Sequence, residues 1–144
     1  MSSTLNGPSR RRRGPSGGAG PAHLARRQAE AVNRRDLEGL VSLYAEDAVL
    51  EFPASPAITG KSAIRRAFER FFQDWDEEIT LHRLVASGRV VAAEGTAQGR
   101  HRTLISQRAY RHAFAAFWEI HRGKIRRHRV YYDARELVRQ VLGA

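Results

Sequence analysis

The 144-residue sequence contains no cysteine, one methionine and five prolines. Without thiols there are no disulfides, no thiolate nucleophile and no cysteine-held zinc, and the chain suits a reducing compartment, so a cytoplasmic location is expected. No apolar run approaches the ~20 residues of a membrane-crossing helix, and no membrane partner is expected. Lysine is also scarce: Lys61 and Lys124 are the only two, so the net charge of +10 is carried almost entirely by arginine. Acidic residues are missing altogether from M-S-S-T-L-N-G-P-S-R-R-R-R-G-P-S-G-G-A-G-P, residues 1 to 21. That stretch has a single leucine and cannot bury enough apolar area to offset the entropy of ordering, so it reads as a disordered tail. Its Arg10 to Arg13 run lacks the apolar segment of about 7 to 15 residues that a secretory signal requires. Removing those four arginines leaves +6 on residues 22 to 144 (10 − 4). A basic surface attracts anions without selecting one, and nucleic acid is not the expected partner.

What is present is the composition of one globular domain, 42% hydrophobic and 28% charged, over residues 22 to 144. Leu24, Gln28, Ala31 and Val32 share a helical face, and Asp36 reads as the N-cap of a second short helix carrying Leu37, Leu40, Val41 and Tyr44. Ala48 to Phe52 is a short strand stopped by Pro53. Ile64, Ala67, Phe68, Phe71, Phe72 and Trp75 then recur at helical spacing. Strand character follows at 78 to 86, 89 to 98, 110 to 121 and 124 to 132, with turns at Ser87-Gly88 and Arg122-Gly123, and a last helix spans about 134 to 142. Helices first and an antiparallel meander after predict an α+β fold, a bent sheet wrapped over helices.

The most informative stretch is V-Y-Y-D-A-R-E-L, residues 130 to 137. Asp133 followed by Glu136 has the spacing of a capping box, which accounts for the acid as the start of the last helix at a stabilisation of roughly 1 kcal/mol. The alternative is a catalytic carboxylate. A tight turn at Arg122-Gly123 gives an odd pairing sum, which places Phe114, Ala116 and Trp118 on one face with Arg129, Tyr131 and Asp133. Such a face, aromatic with an acid at its end, suits a flat hydrophobic ligand. His112 falls near that end, as a proton donor or as a solvated strand-end residue. Arg129 pairs with Asp133 or an anionic ligand group, or is a solvated edge charge. The histidines show no metal-ligating spacing, so no metal is expected.

The order of elements, with Y-A-E-D-A-V-L-E-F-P at 44 to 53, G-K-S-A-I at 60 to 64 and G-K-I-R-R-H-R-V-Y-Y-D at 123 to 133, resembles the SnoaL-like (polyketide cyclase-like) branch of the nuclear transport factor 2-like superfamily. The resemblance covers residues 22 to 143. It implies a cone-shaped fold: a curved antiparallel sheet and N-terminal helices enclosing a mostly apolar pocket, usually in a homodimer. The last strand is also similar to limonene epoxide hydrolases, and Asp133 matches the functional aspartate that both groups place there. Leu50, Phe52, Gly95 and Ala97 stand where the epoxide hydrolases keep their other polar groups, so that reaction is not expected. The resemblance implies a cyclase or isomerase using one Asp for proton transfer on a hydrophobic ketone or polyketide-like substrate. Asp133 and His112 would be catalytic, with Leu50, Phe52, Phe72, Trp75, Phe114, Trp118, Arg129 and Tyr131 lining the substrate site and no cofactor. The alternative is a non-catalytic ligand-binding or dimerisation module of the same fold.

Overall fold

A computed structural model describes residues 20 to 143; the expected disordered tail lies, except for its last two residues, outside the described residues. Two helices, α1 (Pro21–Asn33) and α2 (Leu37–Ser42), lead into strand β1 (Tyr44–Glu51), the two-residue β2 (Ile58–Thr59) and helix α3 (Lys61–Asp74). Four strands follow, β3 (Trp75–Ser87), β4 (Val90–His101), β5 (Ala109–His121) and β6 (Lys124–Tyr131), and helix α4 (Ala134–Leu142) closes the order. The strands form one sheet in the order β2-β1-β6-β5-β4-β3, with β1 parallel to β6 and the other neighbours antiparallel. This is the α+β arrangement read from the sequence. Tyr44 departs from it: it opens β1 instead of closing α2, and its fully buried ring packs beside Phe68 at 5.9 Å.

The sheet is covered on one face by α1 and α3. Ala25, Gln28, Ala29 and Val32 of α1 and Ile64, Phe68 and Phe72 of α3 turn inward, and each fully buried aliphatic side chain contributes about 1.5–3 kcal/mol. Asn33 clamps the outermost strand by donating from Nδ2 to the Ile79 carbonyl at 2.9 Å and accepting from the Ile79 amide at 2.7 Å. These bonds occupy backbone groups that an edge strand otherwise leaves unpaired. At the end of α3, the Arg35 guanidinium donates to the carbonyls of Phe72 and Trp75, and Arg102 donates to Phe72 at 2.9 Å. Cations on these last carbonyls oppose the negative end of the helix dipole. They fix the point at which helix becomes strand, and therefore the direction of Trp75 and Glu77.

The inner face of β4 is a row of small residues: Val91, Ala93, Gly95, Ala97 and Gly99. Two larger rings occupy the space they leave. A Cβ on Gly95 would come within 2.6 Å of the Phe114 ring. Gly99 lies opposite both Glu77 of β3 and Tyr110 of β5, so the Tyr110 side chain crosses the bare strand and donates to Glu77 at 2.8 Å.

A bulge in β6 decides which residues face inward. The turn places Ile120 opposite Ile125, the odd sum predicted from the sequence, but the next pair is Glu119 with Arg127. Arg126 is the extra residue, and one extra residue exchanges the two faces of everything beyond it. His128, opposite Trp118, and Val130, opposite Ala116, therefore face the helices. Arg129 and Tyr131, expected inside, are turned to the outer face. There Arg129 and Arg127 bind Glu51, at 2.7 and 3.1 Å, and Tyr131 meets Phe117 edge-on.

Gly99→Ala would bring its Cβ to 1.8 Å from the Asp76 carbonyl oxygen, a backbone atom that can yield only by moving β3. The substitution is expected to destabilise the domain by about 1–3 kcal/mol in urea unfolding followed by circular dichroism.

Candidate functional site

Between the helices and the sheet lies a cavity of about 430 Å³, within the size range of small-molecule pockets. Its walls are mostly apolar, among them Val32, Leu50, Phe52, Phe68, Phe114 and Trp118. Burial defines a direction: Trp118 and Leu50 at one end are at most 1% exposed, whereas the Arg70 side chain at the rim, 3.7 Å from Asp74, is 83% exposed.

The structure brings together six of the ten residues expected at the site. Leu50, Phe52, Trp75, Phe114, Trp118 and His112 line the cavity. Phe72 does not: it belongs to the core beside it, with the Arg35 guanidinium 5.1 Å above its ring. Arg129 and Tyr131 border a shallow depression on the opposite side of the sheet with Val90, Phe117, Glu119 and Arg127. Asp133 is exposed and caps α4, accepting from the Glu136 amide at 3.1 Å, and it is outside the cavity lining. Glu136 does not complete the box; its carboxylate is taken by Arg139 and Gln140. The expectation that Asp133 faces the pocket is thus corrected by the bulge at Arg126 and by the start of α4.

Two carboxyls line the cavity, Asp74 at the rim beside Arg70 and Glu77 in the wall. Glu77 shares the inward row of β3 with Trp75, Ile79 and Leu81. Burial pushes its carboxyl up to about 7, against a smaller lowering by the Tyr110 hydrogen bond. Tyr132, beside it, is raised by burial and by the Glu77 charge, so its phenol remains a donor at neutral pH. Tyr110 is raised by burial first and by Glu77 second. His112 stacks between these two tyrosines, 4.6 Å from Tyr132 and 6.0 Å from Tyr110. Its Nδ1 is 3.1 Å from the Ala113 carbonyl, which can only accept, so Nδ1 carries the proton and Nε2 is left as the basic nitrogen. One end of the cavity thus holds an acid poised to gain or lose a proton near pH 7, the neutral Tyr132 phenol and an imidazole, with the Tyr110 phenol bonded to the acid from behind.

At the buried end, His128 and Gln28 line the cavity, 4% and 3% exposed. His128 Nδ1 is bonded to the Tyr44 hydroxyl at 2.8 Å, and its ring stacks on Trp118 at 5.0 Å. Burial lowers the imidazole to about 3, so it is neutral at physiological pH.

Residues 25 to 128 match the model of the SnoaL-like domain family. The chain belongs to that family. Among solved structures, the SnoaL-like domain is similar to a candidate polyketide cyclase from Pseudomonas putida, with 27% identity, a TM-score of 0.76, and coverage of 86% of this chain and 99% of that one. A candidate polyketide cyclase from Xanthomonas campestris shares 24% identity at a TM-score of 0.78, covering 83% of this chain and 95% of that one. An epoxide hydrolase of the limonene epoxide hydrolase-like type from Mycobacterium tuberculosis, at 20% identity, TM-score 0.73 and coverage of 85% and 90%, shares the fold. No curated protein matches the sequence. Among the described residues of the SnoaL-like domain, no helix is long and apolar enough to cross a membrane.

Sequence reasoning missed Glu77, Tyr110, Tyr132, Gln28 and His128 as site residues. The parity of W-D-E-E-I-T-L, which sets Trp75, Glu77, Ile79 and Leu81 on one face, was a usable signal for Glu77. No signal in the sequence marked the bulge that turns His128 and Tyr132 inward.

The two buried titrating groups give opposite pH dependences. Between 4.5 and about 7, folded Glu77 keeps a proton that the unfolded chain has released, so its contribution to stability is lost as pH rises through that window. His128, with 6.5 unfolded and about 3 folded, contributes stability that is lost as pH falls below 6.5. Glu77→Gln is expected to abolish the first effect and leave the second, raising stability at pH 8 relative to wild type by up to about 3 kcal/mol, as measured by denaturant unfolding at pH 5 and pH 8.

Proposed function

We propose that this SnoaL-like domain is a cyclase- or isomerase-type enzyme that moves a proton on a hydrophobic ketone, with Glu77 as its acid–base group. The observation that carries the reading is the Glu77 carboxyl in the cavity wall, which burial holds near pH 7, where it can both accept and return a proton. In the proposed step the ionised Glu77 removes a proton from the carbon α to the substrate carbonyl. The C–H electron pair becomes the enolate, and the charge that collects on the oxygen is met by a hydrogen bond from the Tyr132 phenol. Glu77 then returns its proton to the same or a conjugated carbon, or the enolate carbon attacks a second carbonyl of a folded substrate and closes a ring. In the ring closure the new alkoxide takes the proton that Glu77 holds, so the enzyme returns to its starting form. His112 Nε2 accepts from a substrate hydroxyl and orients it. The apolar walls keep water from the enolate.

The cyclase names of the neighbours from Pseudomonas putida and Xanthomonas campestris are consistent with this class of chemistry. Asp133 is given the helix-capping role alone.

The test follows deuterium exchange at the carbons α to the carbonyl of 2-tetralone in D2O by proton NMR. Wild type is expected to accelerate exchange over buffer, and Glu77→Gln to lower the protein-dependent rate at least ~100-fold, while Asp133→Asn stays within about twofold. Unchanged exchange in Glu77→Gln, or its loss in Asp133→Asn with the fold intact, contradicts the assignment.

A further inference from the structure

The buried end of the cavity contains polar groups that the proton-transfer step does not use. His128 is held on one side by the Tyr44 hydroxyl, 2.8 Å from Nδ1, and on its face by Trp118. The Tyr44 hydroxyl is fully buried, and His128 Nδ1 is its hydrogen-bond partner. A phenol has one proton to give. In this pair the phenol O–H is the stronger donor and the imidazole nitrogen the stronger acceptor, so the Tyr44 proton is directed to His128 Nδ1, and a neutral imidazole whose Nδ1 accepts must carry its hydrogen on Nε2. Nε2 makes no hydrogen bond among the described residues, and the ring lines the cavity. This unpaired N–H opens onto the cavity, where a ligand can supply its acceptor.

We propose that His128 is a substrate-anchoring residue: its Nε2–H takes a neutral hydrogen-bond acceptor, a carbonyl or ether oxygen, on the end of the ligand remote from the reacting ketone. Tyr44 is the positioning residue that sets the tautomer. This rests on the reading that Glu77 and Tyr132 hold the reacting carbonyl at the other end. His128 and Tyr132 are four residues apart in extended chain, about 13 Å, and both side chains reach inward. The occupant is therefore an elongated molecule of two or three fused rings, apolar along its length, with an uncharged acceptor at each end. Burial keeps the imidazole neutral, so an anion at the remote end has no counter-charge among the floor residues Gln28, Tyr44, Trp118 and His128, and is rejected.

Three probes that differ only at the remote end test this: 2-tetralone bearing at position 6 an acetyl, an isopropyl or a carboxylate group. Isothermal titration of the wild type at pH 7 is expected to show the acetyl compound binding about 10-fold more tightly than the isopropyl compound, about 1.4 kcal/mol, with the carboxylate weakest. Nitrogen-15 correlation spectra of labelled histidine should show His128 protonated at Nε2 and bare at Nδ1. Tyr44→Phe is expected to mix the tautomers and reduce the acetyl preference to about twofold, and His128→Phe to abolish it. If His128→Phe does not fold, Tyr44→Phe and the wild-type spectrum carry the test. Equal binding of the acetyl and isopropyl compounds, binding of neither, or an Nδ1–H tautomer overturns the proposal. Wild-type protein that shows the acetyl preference without accelerating deuterium exchange refutes the Glu77 chemistry and leaves the His128 anchor standing.

Discussion

The structure depends on the emptiness of one strand face. Ala93, Gly95, Ala97 and Gly99 present almost no side chain on the inner side of β4, so the middle of the sheet has nothing with which to fill the space under α1 and α3. Close packing elsewhere in the domain, with Tyr44, Leu40, Ile64 and Ile125 under 2% exposed, shows that this space is local. Two rings take part of it. Phe114 lies over Gly95, and Tyr110 passes over Gly99 to reach a carboxyl two strands away, a span on the order of 10 Å between strand axes. The same small residues that open the cavity thus allow an acid in its wall to be tethered from behind.

That tether gives the acid its character. A carboxyl buried among apolar groups prefers its neutral form, and a donated hydrogen bond partly restores the charged one. In Glu77 burial wins, but the Tyr110 hydroxyl keeps the value near neutrality instead of far above it. His128, at the buried end of the wall, is driven the opposite way by the same desolvation. At neutral pH the His128 end of the cavity is consequently uncharged and Glu77 at the other end exchanges between its two forms, which matches an apolar ligand with polar but uncharged ends.

The sequence made the architecture legible because its signals are periodic: the aromatic series from Ile64 to Trp75, the alternating strands and the Asp133 cap each survive in the structure. The site was less legible because it depends on events that break periodicity. The turn at Arg122-Gly123 was read with the register it has, yet the extra residue Arg126 reverses the faces beyond it, so His128, Val130 and Tyr132 line the cavity where Arg129, Tyr131 and Asp133 were expected. Arg126 resembles its neighbours, R-R-H-R, and nothing in that run marks it as unpaired. Glu77 was overlooked for a different reason. The strand begins at Trp75 because Arg35 and Arg102 bind the last carbonyls of α3, contacts 30 to 40 residues apart in sequence that no local pattern reveals.

The account rests on Glu77 being an acid that titrates near neutrality inside the cavity. The most direct measurement is the carbon-13 titration of the Glu77 carboxyl by NMR, in the wild type and in Tyr110→Phe. The predicted result is a midpoint near 7 in the wild type, moving higher when the Tyr110 hydroxyl is removed, since that hydrogen bond lowers it. A Glu77 carboxyl that titrates at an ordinary glutamate value of about 4.3, unmoved by loss of the hydroxyl, would contradict it.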